Sequence, residues 1–422
     1  MTAEVLQQRA EIEQAIAGRT ICDLLEHTAA ESGDAPAFSD EAGASWQTLT
    51  WAQASRRIRE LAAGFTALGL APGERVALML PNRSEHVLAD LAAVHAGGLG
   101  VTFYATLAPE QIAFVAGDCG ARIAVLDGAP ELARWQPVLA QLPGLKTIIV
   151  RDAAACPPGD QYLTWDAFAA LGAQRYTEDP GVVAGRMAAI TADDPAALLY
   201  TSGTTGNPKG VLLTHRNIGY ELAAAQSLGL FTPGARWVSY LPLAHIAERM
   251  FSIYLPIHSA THVHFCPDPA QLVRVVGKVR PNGFFGVPRV WEKVRAGIEA
   301  LFALEQDEGK RAAVAGAMAT ARRYVEACQY GHTMPPGLEA EFAAADAAVL
   351  APIRGLLGLG EAVTVSSAAA PLPPEVAAFF SGLGMKILDL YGMTETTGAF
   401  TTNTPEAFKL GTVGQPYPGM EV

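Results

Sequence analysis

A chain of 422 residues is longer than one hydrophobic core usually organises, so two or three packed units are expected. With half its residues apolar and 17% charged, it falls outside the disordered, fibrous and disulfide-stapled classes. A net charge of -12 excludes a nucleic-acid binder that works through a basic stripe, so any anionic ligand has to be gripped locally.

The first stretch, "MTAEVLQQRAEIEQAIAG", mixes Glu, Gln and Arg with apolar residues and reads as a cytoplasmic helix, without the basic and apolar regions of a signal peptide. "ERVALMLPN" (Glu74 to Asn82) predicts a strand and "SEHVLADLAAVHAGG" a helix. The longest apolar stretch, Val87 to Ala105, is interrupted by Asp90, His95 and three glycines, so it reads as a buried helix running into a strand and not as a bilayer span. "PEQIAFVAGDCG", "ARIAVLDG", "APELARWQPVLAQL" and "LKTIIV" then alternate helix and strand, the signature of βαβ units in a largely parallel sheet. Cys22, Cys119, Cys156, Cys266 and Cys328 are scattered with no CxxC pair, which argues for a reducing compartment and against a structural zinc.

The fold class expected is α/β: two consecutive α/β subdomains, 1–186 and 187–399, with mostly parallel sheets flanked by helices. "WVSYLPLAH", "THVHFCP", "PNGFFGVP" and "VTVSSAAAPL" supply strand ends in the second. Between them Val290 to Leu359 is rich in Ala, Glu, Arg and Leu and predicts a helical insertion. Residues 400–422 turn polar and turn-rich and would begin a small β subdomain.

"YTSGTTGNPKGVLLTHRN" (Tyr200 to Asn217) gathers hydroxyls, glycines and one lysine. A Walker A reading fails, because Pro208 has no N–H to donate and Gly210 stands where Ser or Thr is required. "GVLLTH" is β-rich and a helix is expected only near Asn217, as its N-cap, so the loop joins two strands. Glycines permit close backbone approach, N–H groups can form an anion nest, and Lys209 adds a positive charge, a combination suited to a triphosphate tail. A connecting loop with no ligand remains the alternative for such a composition.

"YTSGTTGNPKGV" resembles the phosphate-loop signature of the adenylate-forming superfamily of acyl- and aryl-CoA synthetases, luciferases and peptide-synthetase adenylation domains. "LDLYGMTETTG" (Leu388 to Gly398) resembles a second signature of that superfamily, and "SSAAAPL" (Ser366 to Leu372) a third. The resemblance implies ATP, Mg²⁺ and CoA as cofactor and co-substrates. Thr201, Ser202, Gly203, Thr204, Thr205 and Lys209 would wrap the β- and γ-phosphates, Thr394 would touch the α-phosphate, and Glu395 with Thr205 would help hold the metal. Tyr391 and Gly392 would meet adenine from one side and Ala369 and Ala370 from the other, with Asp389 near the exocyclic amine. The related pattern usually carries glycine where this chain has Ala368 and Ala369.

"LPLAHIAER" (Leu241 to Arg249) resembles the segment beside the acyl carboxylate, with His245 as its contact residue. "GVPRVWEKV" resembles the long-chain branch, in which Phe284, Phe285, Val287 and Trp291 would wall an acyl tunnel. Some long-chain relatives place a tryptophan gate where this chain has Arg249, so that device is not carried over. The implied activity is conversion of a fatty acid to acyl-AMP and then to a CoA thioester, with fatty acid, ATP and CoA as partners. Sibling readings are an acyl-AMP ligase that loads a carrier protein and a non-catalytic binding module. Relatives continue into a ribose-binding T-G-D segment and a small lid domain that bears a lysine; neither is found in this sequence, so a truncated synthetase of low activity is expected. Peripheral membrane association and a homodimer stay open as expectations, and nucleic acid and a transmembrane segment are not expected.

Overall fold

The computed structural model describes residues 2–201, 207–230 and 232–422. Its two compact units interleave along the chain. The first gathers Glu13–Ala223 and Ser239–Pro269, and the second Met1–Ile12, Ala224–Val238 and Ala270–Val422.

The first unit is built on a five-stranded, fully parallel sheet whose order is Leu99–Thr102, Arg75–Met79, Ala121–Leu126, Thr147–Val150 and Tyr162–Thr164. Sequences such as RVALM and TIIV suit it, because a parallel strand covered on both faces needs a nearly continuous apolar run. The helix Ser84–His95 buries every residue except Glu85 and leads into the strand Leu99–Thr102, as the apolar stretch suggested. Helices Trp51–Ala67 and Trp165–Glu178 meet where Gly64 faces Gly172, and a methyl group on Gly172 would overlap the Glu60 carbonyl. Phe65 and Phe168 fill the same contact with ring centroids 4.8 Å apart. A second sheet pairs Pro36–Ala42 antiparallel with Ser45–Thr50 and parallel with His262–Phe265.

The hydroxyl- and glycine-rich loop does join two strands: Pro195–Thr201 pairs antiparallel with Lys209–Thr214. The helix that follows, His215–Ser227, begins earlier than the sequence suggested. Thr214 caps it and Asn217 occupies the third helical position. The Asn217 N–H donates to Thr214 Oγ1 at 3.1 Å while the Thr214 N–H donates to Asn217 Oδ1 at 3.0 Å. This reciprocal arrangement satisfies two otherwise orphaned donors, which a lone cap at Asn217 could not do.

The second unit carries a five-stranded sheet ordered Gly283–Phe285, Thr364–Ser367, Ile387–Met393, Gly398–Thr402 and Gln415–Pro416. The first three strands are parallel and the last two turn antiparallel, so the polar C-terminal stretch adds to this same sheet. Between the first two strands lie the helices Pro288–Leu304, Glu308–Ala327, Leu338–Ala345 and Ala351–Leu356, with a π-type turn at Asp346–Leu350. Among the described residues no helix is long and apolar enough to cross a membrane.

Candidate functional site

In the first unit the hairpin ends where its residues could meet a ligand. Thr201 is half-buried at the end of one strand and stands opposite Lys209, which opens the next. Lys209 is exposed and forms no ion pair among the described residues. Ser202, Gly203, Thr204 and Thr205, expected to line the same loop, lie outside the described residues. The neighbouring Tyr200 anchors the strand inward, its hydroxyl donating to Asp118 Oδ2 at 2.5 Å.

His245 is exposed at the N-terminus of the short helix Ile246–Arg249, where its Nδ1 accepts from the Ala247 N–H at 3.2 Å. That bond leaves the neutral ring's proton on Nε2. Protein packed around the ring disfavours its charged form, so its pKa lies below the ordinary histidine value. The segment Leu241 to His245 is held from beneath by Glu248, which is buried. The Glu248 carboxylate accepts from Ser239 Oγ at 2.7 Å, Ser252 Oγ at 2.6 Å, Asn82 Nδ2 at 3.3 Å and the Leu241 N–H at 3.3 Å. Asn82 Nδ2 also donates to the Leu241 carbonyl at 2.7 Å. Burial pushes the Glu248 carboxyl up to about 7 against these hydrogen bonds, which favour its charged form.

The next residue, Arg249, is only 1% exposed. It donates to both carboxylate oxygens of Asp90, at 2.6 and 2.8 Å, to Tyr254 Oη at 2.9 and 2.8 Å, and to Thr102 Oγ1 at 3.3 Å. Burial pushes the adjacent His86 down to about 4, so no second cation competes for Asp90. Sequence reasoning noted Asp90 only as a break in an apolar run and passed over Glu248. The signal was there: Asp90 interrupts a helix that is otherwise apolar and buried, and a charge in such a place needs a partner.

In the second unit, Ile387–Met393 delivers Asp389, Tyr391 and Gly392 to one strand end, and the 3₁₀ turn Thr394–Thr396 carries Thr394 and Glu395. Tyr391 is 47% exposed and leans edge-on against Phe400, with centroids 5.1 Å apart. Thr394 is buried, whereas Glu395 is exposed and forms no ion pair among the described residues. Burial raises the Asp389 carboxyl to about 6. Gly392 lies so close to the returning strand that a Cβ would collide with the Gly398 carbonyl. Ala368 is buried, Ala369 and Ala370 are exposed, and Ala369 adopts a φ of 73°, a region that favours glycine.

The four residues expected to wall an acyl tunnel are packed mainly as core. Phe284, Phe285 and Trp291 are buried and Val287 is half-buried. Trp291 sits edge-on to Phe284 and to Phe380, at 5.4 and 4.9 Å, and its Nε1–H donates to the Ser366 carbonyl at 3.2 Å.

Taken unit by unit, the groups present suit a magnesium nucleotide. In the first unit Lys209, without an ion pair among the described residues, offers a cation for phosphate. In the second, Tyr391 offers an open aromatic face for a base, and Glu395, without an ion pair among the described residues, offers one carboxylate, which suffices for an ion that usually keeps waters and phosphate oxygens as its other ligands.

A model of the AMP-binding enzyme family matches residues 25–422. The long-chain-fatty-acid–CoA ligase ACSBG2 of Xenopus laevis is 32% identical over 406 residues, 94% of this chain and 54% of that protein. The long-chain-fatty-acid–CoA ligase FadD15 of Mycobacterium bovis is 33% identical over 378 residues, 89% of this chain and 60% of that protein. The chain thus spans little more than half the length of these curated relatives. Among solved structures, the inhibitor-bound N-terminal domain of FACL13 from Mycobacterium tuberculosis shares the fold, with a TM-score of 0.67 at 21% identity over 94% of this chain and 82% of that one.

Proposed function

The chain belongs to the AMP-binding enzyme family, and we propose that it serves the activation of a long-chain fatty acid with ATP, followed by transfer of the acyl group to CoA. A carboxylate oxygen bonds to the α-phosphorus, the bond from that phosphorus to the bridging oxygen breaks, and pyrophosphate leaves with the electron pair. The CoA thiol then displaces AMP from the acyl carbon. Lys209, with Thr201 and with Ser202, Gly203, Thr204 and Thr205, holds the outer phosphates and offsets charge as pyrophosphate departs. Tyr391 and Gly392 hold adenine against Ala369 and Ala370, Asp389 accepts from its exocyclic amine, and Thr394 donates to the α-phosphate. Glu395 and Thr205 would hold Mg²⁺, which would supply further neutralisation of the phosphates. His245 places its Nε2–H beside the fatty-acid carboxylate, and Phe284, Phe285, Val287 and Trp291 border the alkyl chain. The five free cysteines support a cytoplasmic setting for the reaction.

The observation that carries this reading is the strand end at Tyr391 to Glu395, where an open ring and a carboxylate without an ion pair among the described residues occupy the place at which parallel sheets bind ligands. The test is ATP–pyrophosphate exchange across a series of fatty acids, backed by calorimetry. Exchange should require a long-chain acid. Lys209→Ala should weaken ATP binding about tenfold, the effect of one charge-assisted hydrogen bond. Glu395→Ala should weaken its magnesium dependence. Wild-type ATP binding in both variants would overturn the assignment.

A further inference from the structure

The helices Pro288–Leu304 and Glu308–Ala327, with the run that follows from Asp346 to Leu356, enclose a groove of about 880 Å³ in the second unit. Its walls include Ile298, Leu301, Val314, Met318, Ile353 and Leu357, and none of the residues assigned to adenylation lines it. Ile298 and Met318 form a buried floor, whereas Leu301 and Leu356 at the margins are 62% and 86% exposed. Large aliphatic side chains left in water along a concave surface mark a binding site more often than a bare face.

The charges at this groove oppose those of the whole molecule. In a chain of net charge -12, Lys310, Arg311 and Arg322 line it together with a single acid, Glu305. Lys310 lies 3.5 Å from Glu305, and Arg311 lies 3.8 Å from Glu308, whose side chain is 92% exposed. Arg322 forms no ion pair among the described residues; its Nε donates to the Ala378 carbonyl at 3.3 Å, which leaves its Nη groups available.

We propose that this groove is a second ligand site, which takes the alkyl chain of a long-chain carboxylate against Ile298, Val314 and Met318 and its carboxylate at Arg322. The volume lies in the range of small-molecule sites, and the apolar floor with a cationic rim matches a single-chain anionic amphiphile at both ends. Occupancy needs no nucleotide, because no adenylation residue takes part.

The test is fluorescence titration of the chain with cis-parinaric acid in the absence of ATP, with folding of each variant checked by circular dichroism. One nucleotide-independent site is expected. Val314→Trp should weaken it about tenfold by filling the groove. Arg322→Glu should weaken displacement by palmitic acid about tenfold, through loss of a charge-assisted bond, while displacement by hexadecanol stays near wild type. His245→Ala should leave the site intact, and ATP-dependent thermal shifts read the adenylation site separately, so the two proposals fail independently. The proposal is overturned if the groove variants bind the probe as wild type does, or if His245→Ala abolishes binding while Val314→Trp preserves it. It is also overturned if Val314→Trp removes only sedimentation with phosphatidylglycerol vesicles or only self-association seen by light scattering.

Discussion

Ala369 occupies a backbone conformation with φ of 73° that costs an alanine roughly 1–2 kcal/mol and a glycine almost nothing. Glycine loses about 0.5–1 kcal/mol more chain entropy on folding, so the entropy offsets only about half of the strain relieved. Ala369→Gly should therefore raise stability by about 0.5–1 kcal/mol, read as a higher midpoint of urea unfolding; a lower midpoint would mean the alanine methyl makes a contact worth more than the strain. Glu248 gives a pH prediction. Its folded pKa, near 7, lies above the unfolded value of 4.5. The native state therefore binds its proton more tightly, and as pH rises from about 4.5 to 7 this group withdraws stability, on the order of 3 kcal/mol in all. Urea midpoints at pH 5, 6, 7 and 8 should fall through that window in the wild type and stay flatter in Glu248→Gln, which cannot ionise. Equal slopes in the two proteins would show that the carboxylate is already charged at pH 5.

At the scale of elements, one ion pair ties the helix Ser84–His95 to the helix that starts at Ile246. Removing one partner strands a buried charge, so Asp90→Asn and Arg249→Met should each cost about 3–5 kcal/mol, whereas Asp90→Leu with Arg249→Met together should cost less than either. Thermal melts of the three variants check this, and additive losses would refute it. The same contact shows what the sequence could convey. Periodicity was enough to find the helix, its run into Leu99–Thr102 and the largely parallel character of the sheet around Arg75–Met79, because buried apolar runs are local signals. The identity of the partner for Asp90 was not local: Arg249 lies 159 residues away. The cap at Thr214 was missed for a different reason, since Thr and Asn both suit a helix start and only their reciprocal bonding decides which one caps.

For the whole molecule, the strong negative charge means that phosphate and carboxylate groups must be met by individual cations, and the structure leaves Lys209 and Arg322 without ion-pair partners among the described residues. The apolar run MKILDLYG is enough to put Glu395 just past a strand end, because a buried strand is a local signal, and the structure has that strand run to Met393 with Glu395 on the turn after it. Local signals could not reveal that Trp291 packs edge-on against both Phe284 and Phe380, which depends on strands and helices distant in sequence. The interleaved order of the units also bears on how the protein is made. A ribosome finishes the last residue of the first unit, Pro269, while all of 270–422 has yet to be synthesised. Arg9, among the earliest residues to emerge, finds its acceptor only at Gly419, whose carbonyl takes bonds from Nε and Nη2 at 3.1 and 2.9 Å. Nascent chains arrested once Pro269 has cleared the exit tunnel should thus resist protease across the parallel sheet, yet still be cut within their first dozen residues.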